Sequence, residues 1–472
     1  MSQRLAFYNP SKLLRSIFTQ RERTAGLNML SNNADRPARY CVIGGGPSGL
    51  AVAKNLSQAG VPFELLERED DFGGNWYFGK PGSSVCGSTH LISSKKLTEF
   101  DDFPMPADWP PFPSHQLALQ YLRDYARHFG LYEHAQFNTS VAKVERSAAG
   151  WVVTLQNDDV RQYRGLIIAN GHNWDPRWPQ YPGHFNGVVL HSSQYKTPDI
   201  LTRKRVLVVG AGNSGCDIAV ESAQHAANTL HSSRRGYHYI PKFLRGRPID
   251  EAGERLLRWR VPLWLRRFLI GRMVGYTLGR PQDYGLPKPD HRFLETHPII
   301  NSQMLYYVGH GDIEPRGDIA ELCGDNVRFV DGRIDPVDVI VYATGFAISF
   351  PFIDQSLLNW RDGAPDLYLN VFHPDDDTLF IAGLIQPDSG QWGLVDYQAQ
   401  LIARYAVAMR EDQKAAERFR QLKSQHKPDL SAGIRYLASP RHRLEVEHFS
   451  YRRRLKKLIK MFPINRLRSV GK

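Results

Sequence analysis

Two glycine-rich turns of one kind constrain this chain more than anything else in it. Gly44-Gly45-Gly46-Pro47-Ser48-Gly49 follows the apolar run Tyr40-Cys41-Val42-Ile43, and Gly210-Ala211-Gly212-Asn213-Ser214-Gly215 follows Val206-Leu207-Val208-Val209. Each opens an alanine-bearing stretch with helical patterning. In such a strand–turn–helix context the first glycine permits the tight bend and the second lets backbone N–H groups approach a pyrophosphate. The third allows helix and strand to pack closely. One such motif is a weak signal. Two predict an α/β protein with two Rossmann-like dinucleotide-binding domains, and two dinucleotides held together predict hydride passing between them.

The turns differ in the residues downstream of each. About twenty residues after the first, Glu67 closes the next strand, where an acid takes ribose hydroxyls. Phe72-Gly73-Gly74-Asn75-Trp76 comes just after, with two glycines that let backbone lie against a flat ring system. This assigns FAD to Gly44, Gly46, Pro47, Ser48, Gly49, Glu67, Gly74, Asn75 and Trp76. The second turn leads to His231-Ser232-Ser233-Arg234-Arg235, with no carboxylate. Guanidinium and hydroxyl groups suit a 2′-phosphate that a carboxylate would repel. This assigns NADPH to Gly210, Gly212, Asn213, Ser214, Gly215, Ser233, Arg234 and Arg235.

The spacing predicts a helix over 48–59, a strand over 63–66, a helix carrying Leu117, Tyr121, Leu122, Tyr125 and Phe129, and a hairpin over 141–144 and 151–155. Pro176, Pro179 and Pro182 mark a crossing between domains. Val339-Ile340-Val341-Tyr342-Ala343-Thr344-Gly345 repeats the pattern of Leu166-Ile167-Ile168-Ala169-Asn170-Gly171, as a return to the first domain would. The expected division is an N-terminal extension (1–37), the first part of an FAD domain (38–175) and an NADPH domain (176–337) with a basic helical insertion near 240–300. The second part of the FAD domain (338–440) and a basic amphipathic tail (441–472) complete the chain, so the NADPH domain is inserted into a discontinuous FAD domain.

The net charge of +12 is concentrated, because from Phe449 onward there are nine Lys or Arg and no Asp or Glu. The rest is near balance, which argues against nucleic acid as a partner. Arg452, Arg453, Arg454, Lys456, Lys457 and Lys460 interleave with Leu455, Leu458, Ile459 and Phe462 at helical spacing. Residues 255–280 hold seven arginines and no acid, with Trp259, Trp264, Leu265, Phe268, Leu269 and Ile270 among them. Both 449–472 and 255–280 suit peripheral contact with anionic lipid, against a helix docked on the body or an oligomer contact. No run of about 18 apolar residues is present to span a bilayer. Cys41, Cys86, Cys216 and Cys323 contain no C-x-x-C pair, which fits the cytoplasm and leaves no dithiol and no metal cluster to defend. Residues 1–21 are basic and acid-free, as a surface arm or a transit peptide would be. The chain is compatible with a homodimer.

Phe185, Gly187, His191 and Tyr195 resemble the F-x-G-x-x-x-H-x-x-x-(Y/F) signature of the flavin-containing monooxygenases. The segment 210–219, the links Ala169-Asn170-Gly171 and Ala343-Thr344-Gly345, and Leu384-Ile385-Gln386-Pro387 are similar to the family as well. The resemblance covers roughly 38–410 and adds Gln386 to the FAD contacts. It implies that NADPH reduces FAD, that O₂ adds to give a flavin C4a-(hydro)peroxide, and that a soft nitrogen or sulfur nucleophile of a small molecule takes the oxygen. The resemblance places Ile92 where the family carries asparagine near the flavin's reacting face, so a hydrogen bond there is missing or comes from Ser93 or another residue. Ser93, His191 and Tyr195 are the candidates for catalysis, His191 and Tyr195 reading equally as support for the interdomain linker. The alternatives are a Baeyer–Villiger ketone monooxygenase, disfavoured by Tyr195-Lys196, an uncoupled NADPH oxidase, and a flavin-bearing binding protein without turnover.

Overall fold

The computed structural model describes residues 38–463 except 260, 298, 438, 440 and 441. The expected extension 1–37 and the end of the basic tail lie outside the described residues. Around the first glycine turn a five-stranded parallel sheet runs in the order Leu379–Ile381, Gly165–Ile168, Tyr40–Ile43, Phe63–Leu66, Ala135–Gln136. Its central strands are buried throughout, as a sheet covered on both faces requires. The helix Pro47–Gln58 begins with proline in its first turn, where the missing N–H is no loss. It packs against the long helix Trp392–Glu411, locked by Asn55 Nδ2 donating to Asp396 at 2.8 Å and by the buried Lys54 ammonium 2.8 Å from the same carboxylate. The hairpin forms as Val141–Ser147 and Gly150–Leu155, with Val160–Tyr163 as a third antiparallel strand.

The second turn sits in a sheet of the same plan: Val188–His191, Val339–Tyr342, Arg205–Val209, Asn228–Ser232, Glu314–Arg316, all parallel. Val339–Tyr342 was expected to open the return to the first domain. Instead it is the neighbour of Arg205–Val209 in the second sheet, as Gly165–Ile168 is the neighbour of Tyr40–Ile43 in the first. The return begins after Gly345. Outgoing and returning linkers pair with each other, Asp175–Pro176 lying antiparallel to Phe346–Ala347, with Arg177 N–H donating to Gly345 O and Thr344 Oγ1 to Arg177 O. The second unit is thus inserted into the first through one two-stranded neck.

The C-terminal helix His448–Ile459 does not offer a free apolar face. Tyr451, Leu455, Leu458 and Phe462 are buried in the first unit's core. The Tyr451 hydroxyl accepts from Gln398 at 2.8 Å and donates to Leu369 O at 2.6 Å. Over its described part, the tail expected to meet lipid spends its apolar stripe on the body and leaves its cations outside. The insertion contains the helices Ile249–Arg258 and Leu263–Leu278. Its outer surface is not covered: Trp259 is 73% exposed, Trp264 70% and Tyr276 94%. No described helix is long and apolar enough to cross a membrane.

Candidate functional site

Both glycine turns end in helices whose N-caps are glycines with no side-chain cap, Gly46 for Pro47–Gln58 and Gly212 for Asn213–His225. Three other helices are capped from side chains, with Ser114, Asp412 and Glu447 accepting first-turn N–H groups. The first-turn donors of these two helices are therefore left for an anion. Gly44 and Gly210 adopt φ +106° and +117°, and a Cβ at either would lie 2.7 and 2.4 Å from the carbonyl oxygens of Ala169 and Ala343. A Cβ at Gly49 or Gly215 would fall 1.8 Å from Gly44 O or Gly210 O. The two turns are built to one specification.

At the first turn a channel of bare backbone continues into the next loop. The nearest atom to a Cβ at Gly46 would be the Cα of Gly74, and a Cβ at Gly74 would stand 2.7 Å from the Cα of Gly46. Glu67 is buried beside it and accepts the Gly45 N–H at 2.5 Å and the Glu69 N–H at 2.9 Å. Burial raises its carboxyl pKa, opposed by those two hydrogen bonds. A carboxylate fixed by two amides, with lone pairs left over, fits the ribose hydroxyls of FAD. Asn75 Oδ1 accepts from Ser84 N–H and Oγ, and Trp76 stands edge-on to Trp392 at 5.8 Å, so both shape the loop.

At the second turn Ser233 N–H donates to Arg316 O, and Arg234 stands exposed beyond it. Arg235 is held by Asp290 at 2.9 Å, which leaves Arg234 as the cation at the mouth. Asn213 turns its Oδ1 to the Ile300 N–H at 2.8 Å, and Asp217 accepts from Asn301 Nδ2 at 2.7 Å. These side chains tie the insertion's return strand to the dinucleotide helix. Ser214 lies exposed on the helix's first turn.

His191 is fully buried against the neck and Tyr195 in the core of the inserted unit. The imidazole places Nε2 3.1 Å from Gly345 O and Nδ1 3.0 Å from Ser193 Oγ, and burial lowers its pKa. The Tyr195 hydroxyl donates to Glu221 Oε2 at 2.7 Å, and burial raises its pKa. Neither faces open space: His191 braces the crossing through Gly345, and Tyr195 anchors to the helix Asn213–His225 through Glu221. Ser93 Oγ pairs with Thr98 Oγ1 at 2.8 Å, which commits it to its own loop.

That loop, residues 91–98, packs on the segment beginning at Gln386. A Cβ at Gly390 would lie 1.8 Å from Leu97 O, so only glycine permits the approach. Gln386–Pro387 pairs in turn with Glu445–Val446. Asp388, Glu445 and Glu447 gather behind this strand, with His297 3.5 Å from Glu445. Burial first, then repulsion from Glu447 and Glu445, pushes Asp388 up to about 7, against the His448 N–H it accepts. Asp250, Asp290, Asp388 and Gln391 carry no sequence pattern of their own. Gln391 holds Gly383 O and Ile385 O through its amide. Their partners lie tens to hundreds of residues away or in a loop of no motif.

A model of the flavin-binding monooxygenase-like family matches residues 37–452. Flavin-containing monooxygenase 5 of Rattus norvegicus is 32% identical over 452 residues, which cover 90% of this chain and 83% of the rat protein. Flavin-containing monooxygenase 2 of Homo sapiens is 33% identical over 389 residues, 78% and 72% of the two chains. Among solved structures, S-allyl-L-cysteine S-oxygenase from Allium sativum has a TM-score of 0.62 at 21% identity, covering 89% of this chain and 88% of its own. An open form of cyclohexanone monooxygenase has a TM-score of 0.64 at 19% identity, covering 89% and 97%.

Proposed function

The chain belongs to the flavin-binding monooxygenase-like family, NADPH- and O₂-dependent flavoenzymes that oxygenate small molecules. From that premise we propose that it oxygenates a soft nitrogen or sulfur nucleophile, with FAD held at the Gly44–Gly49 turn and NADPH at the Gly210–Gly215 turn. The observation that carries this reading is the pair of uncapped helix N-termini with opposite chemistry beyond them, buried Glu67 at one and exposed Arg234 at the other. A relative named dimethylaniline monooxygenase (N-oxide-forming) 2, from Pan troglodytes and 33% identical over 389 residues, supports the substrate class.

When bound, FAD supplies the redox and oxygen-transfer chemistry. The chain's own residues bind, orient and shield. Gly44, Gly46 and Gly49 bring first-turn N–H groups to one pyrophosphate, and Glu67 takes ribose hydroxyls. Gly210, Gly212 and Gly215 do the same for the second pyrophosphate, and Arg234 meets the 2′-phosphate. His191 holds the neck that sets one dinucleotide against the other, and Tyr195 holds the segment after it to the second dinucleotide helix. Trp76 and Trp392, edge-on at 5.8 Å, form an apolar wall beside the Gly74–Trp76 turn that would help keep water from the bound flavin.

The test is anaerobic reduction of the FAD-loaded protein by NADPH or NADH, then mixing with O₂ and N,N-dimethylaniline, thioanisole or cyclohexanone. The expected products are the N-oxide or sulfoxide, close to one per NADPH consumed. Lactone alone would establish the ketone reaction, and peroxide alone with every substrate would establish an oxidase. NADPH is expected to bind more tightly than NADH, and Arg234→Ser to lower that preference roughly tenfold to a hundredfold, the worth of one charge-assisted contact.

The outer surface of 255–280 further supports contact with an anionic lipid surface. Trp259, Trp264, Phe268 and Tyr276 stand exposed among Arg255, Arg272 and Arg280, an amphipathic set complementary to negative headgroups. Flotation with phosphatidylserine vesicles should carry the protein up, and phosphatidylcholine vesicles should not. Trp259→Ser/Trp264→Ser should abolish flotation, whereas equal flotation of this variant would exclude the surface.

A further inference from the structure

Asp250 belongs to the insertion of the NADPH unit, in the first turn of the helix Ile249–Arg258, yet it reaches the FAD unit. Its Oδ2 accepts the backbone N–H of Ser94 at 2.6 Å, across 156 positions of chain. Oδ1 accepts the Glu251 N–H at 2.9 Å, which fixes the carboxylate on its own helix. Ser94 is wholly buried and precedes the short helix Lys95–Thr98. The same segment receives Gly390 from the other side, in a contact so close that no side chain fits. Ile92, two positions earlier, brings no polar group, and Ser93 is bonded within the loop. The Asp250 carboxylate is therefore the polar tie from the NADPH unit to the loop that packs on the proposed flavin-contacting strand.

We propose that Asp250 is a positioning residue, through which the NADPH unit's insertion holds residues 91–98 in register at the reacting side of the FAD site. This rests on the oxygenase reading above. Besides the two-stranded neck, the units meet where Ser88 donates to Glu221, where Lys196 donates to Ser83 O and Val85 O, and where His297 faces Glu445; Asp250 is the attachment that reaches residues 91–98. It also keeps the 91–98 loop closed over the reduced cofactor, where water entry would divert oxygen to peroxide.

Three variants test it in the FAD-loaded protein. Asp250→Ala removes the acceptor. Asp250→Asn keeps an oxygen that can accept the same N–H. Ser94→Pro removes the donor, at a residue whose φ of −63° already suits proline. The readouts are the share of NADPH oxidation appearing as peroxide and the visible circular dichroism of the bound oxidised flavin. Asp250→Ala and Ser94→Pro should each raise the peroxide share at least fivefold and shift the dichroism alike. The double variant should be no worse than either single one, since both break one bond, and Asp250→Asn should restore most of both readouts.

Equal dichroism and equal peroxide share in wild type and Asp250→Ala would overturn the proposal, as would additive effects in the double variant. Damage by Asp250→Asn equal to that by alanine would overturn it too. If the wild type itself yields only peroxide, the oxygenase reading fails, while the dichroism series still decides the role of Asp250.

Discussion

Alanine at Gly49 is expected to give protein that purifies without FAD, and alanine at Gly215 a yellow protein that dithionite reduces but NADPH does not. The two substitutions are sterically equivalent, each forcing a Cβ to within 1.8 Å of a carbonyl oxygen five residues back. No rotamer relieves that, because the backbone alone fixes where Cβ lies, so helix and strand must separate by about an ångström or more. The uncapped N–H groups of the first turn then no longer converge on one pyrophosphate. Losing two or three such contacts, each worth about 1.5–3 kcal/mol to a charged partner, lowers affinity by a hundredfold or more. The visible spectrum after purification reads the first variant, and anaerobic titration with NADPH reads the second. FAD retained in Gly49→Ala would remove the pyrophosphate from the first turn. Loss of FAD in Gly215→Ala with NADPH binding intact would reverse the two assignments.

The parts legible in the chain were those written locally. A glycine turn between an apolar strand and a helix specifies its own geometry, so both turns form between strand and helix as the sequence predicts, with Glu67 beside the first and Arg234 exposed beyond the second. Which sheet a strand joins is not local. Val339–Tyr342 carries the same pattern as the strand at 165–168 because it does the same job, flanking a dinucleotide strand, but in the other sheet. The stripe of Tyr451, Leu455 and Leu458 has one appearance whether it faces lipid or the helix Trp392–Glu411. Arg235 pairs with Asp290, 55 residues on, and nothing in the 231–235 segment announces that partner. Asp250 and Ser94 are separated further still, and nothing in either segment announces the other.

Asp388→Asn is expected to stabilise the protein at pH 8 and to lose that advantage as the pH falls toward 4. An aspartate ordinarily titrates at 3.8, and in the fold burial and the neighbouring Glu447 and Glu445 push Asp388 up to about 7. Between those values the folded chain keeps a proton that the unfolded chain has released. Stability from this group is therefore complete below pH 4, declines as pH rises to 7, and stays at its reduced level above. A carboxyl that holds its proton about a thousandfold more tightly when folded costs about 4 kcal/mol at pH 8, a ceiling, since each tenfold step is worth about 1.36 kcal/mol. The amide carries no charge and its oxygen can still accept the His448 N–H, so it should recover most of the loss. Urea unfolding of both proteins from pH 5 to 8 measures this, and a gap that stays constant over the range would show that Asp388 is ionised throughout. Its position gives the result a second use. Asp388 directly follows the strand Gln386–Pro387, in the segment whose Gly390 meets residues 91–98. If Asp388→Asn gains stability yet oxygenates less, the carboxyl is retained at the flavin loop for function against its cost to the fold. If it gains stability with turnover unchanged, the strand tolerates the neutral group and the buried acids serve only to shape the loop.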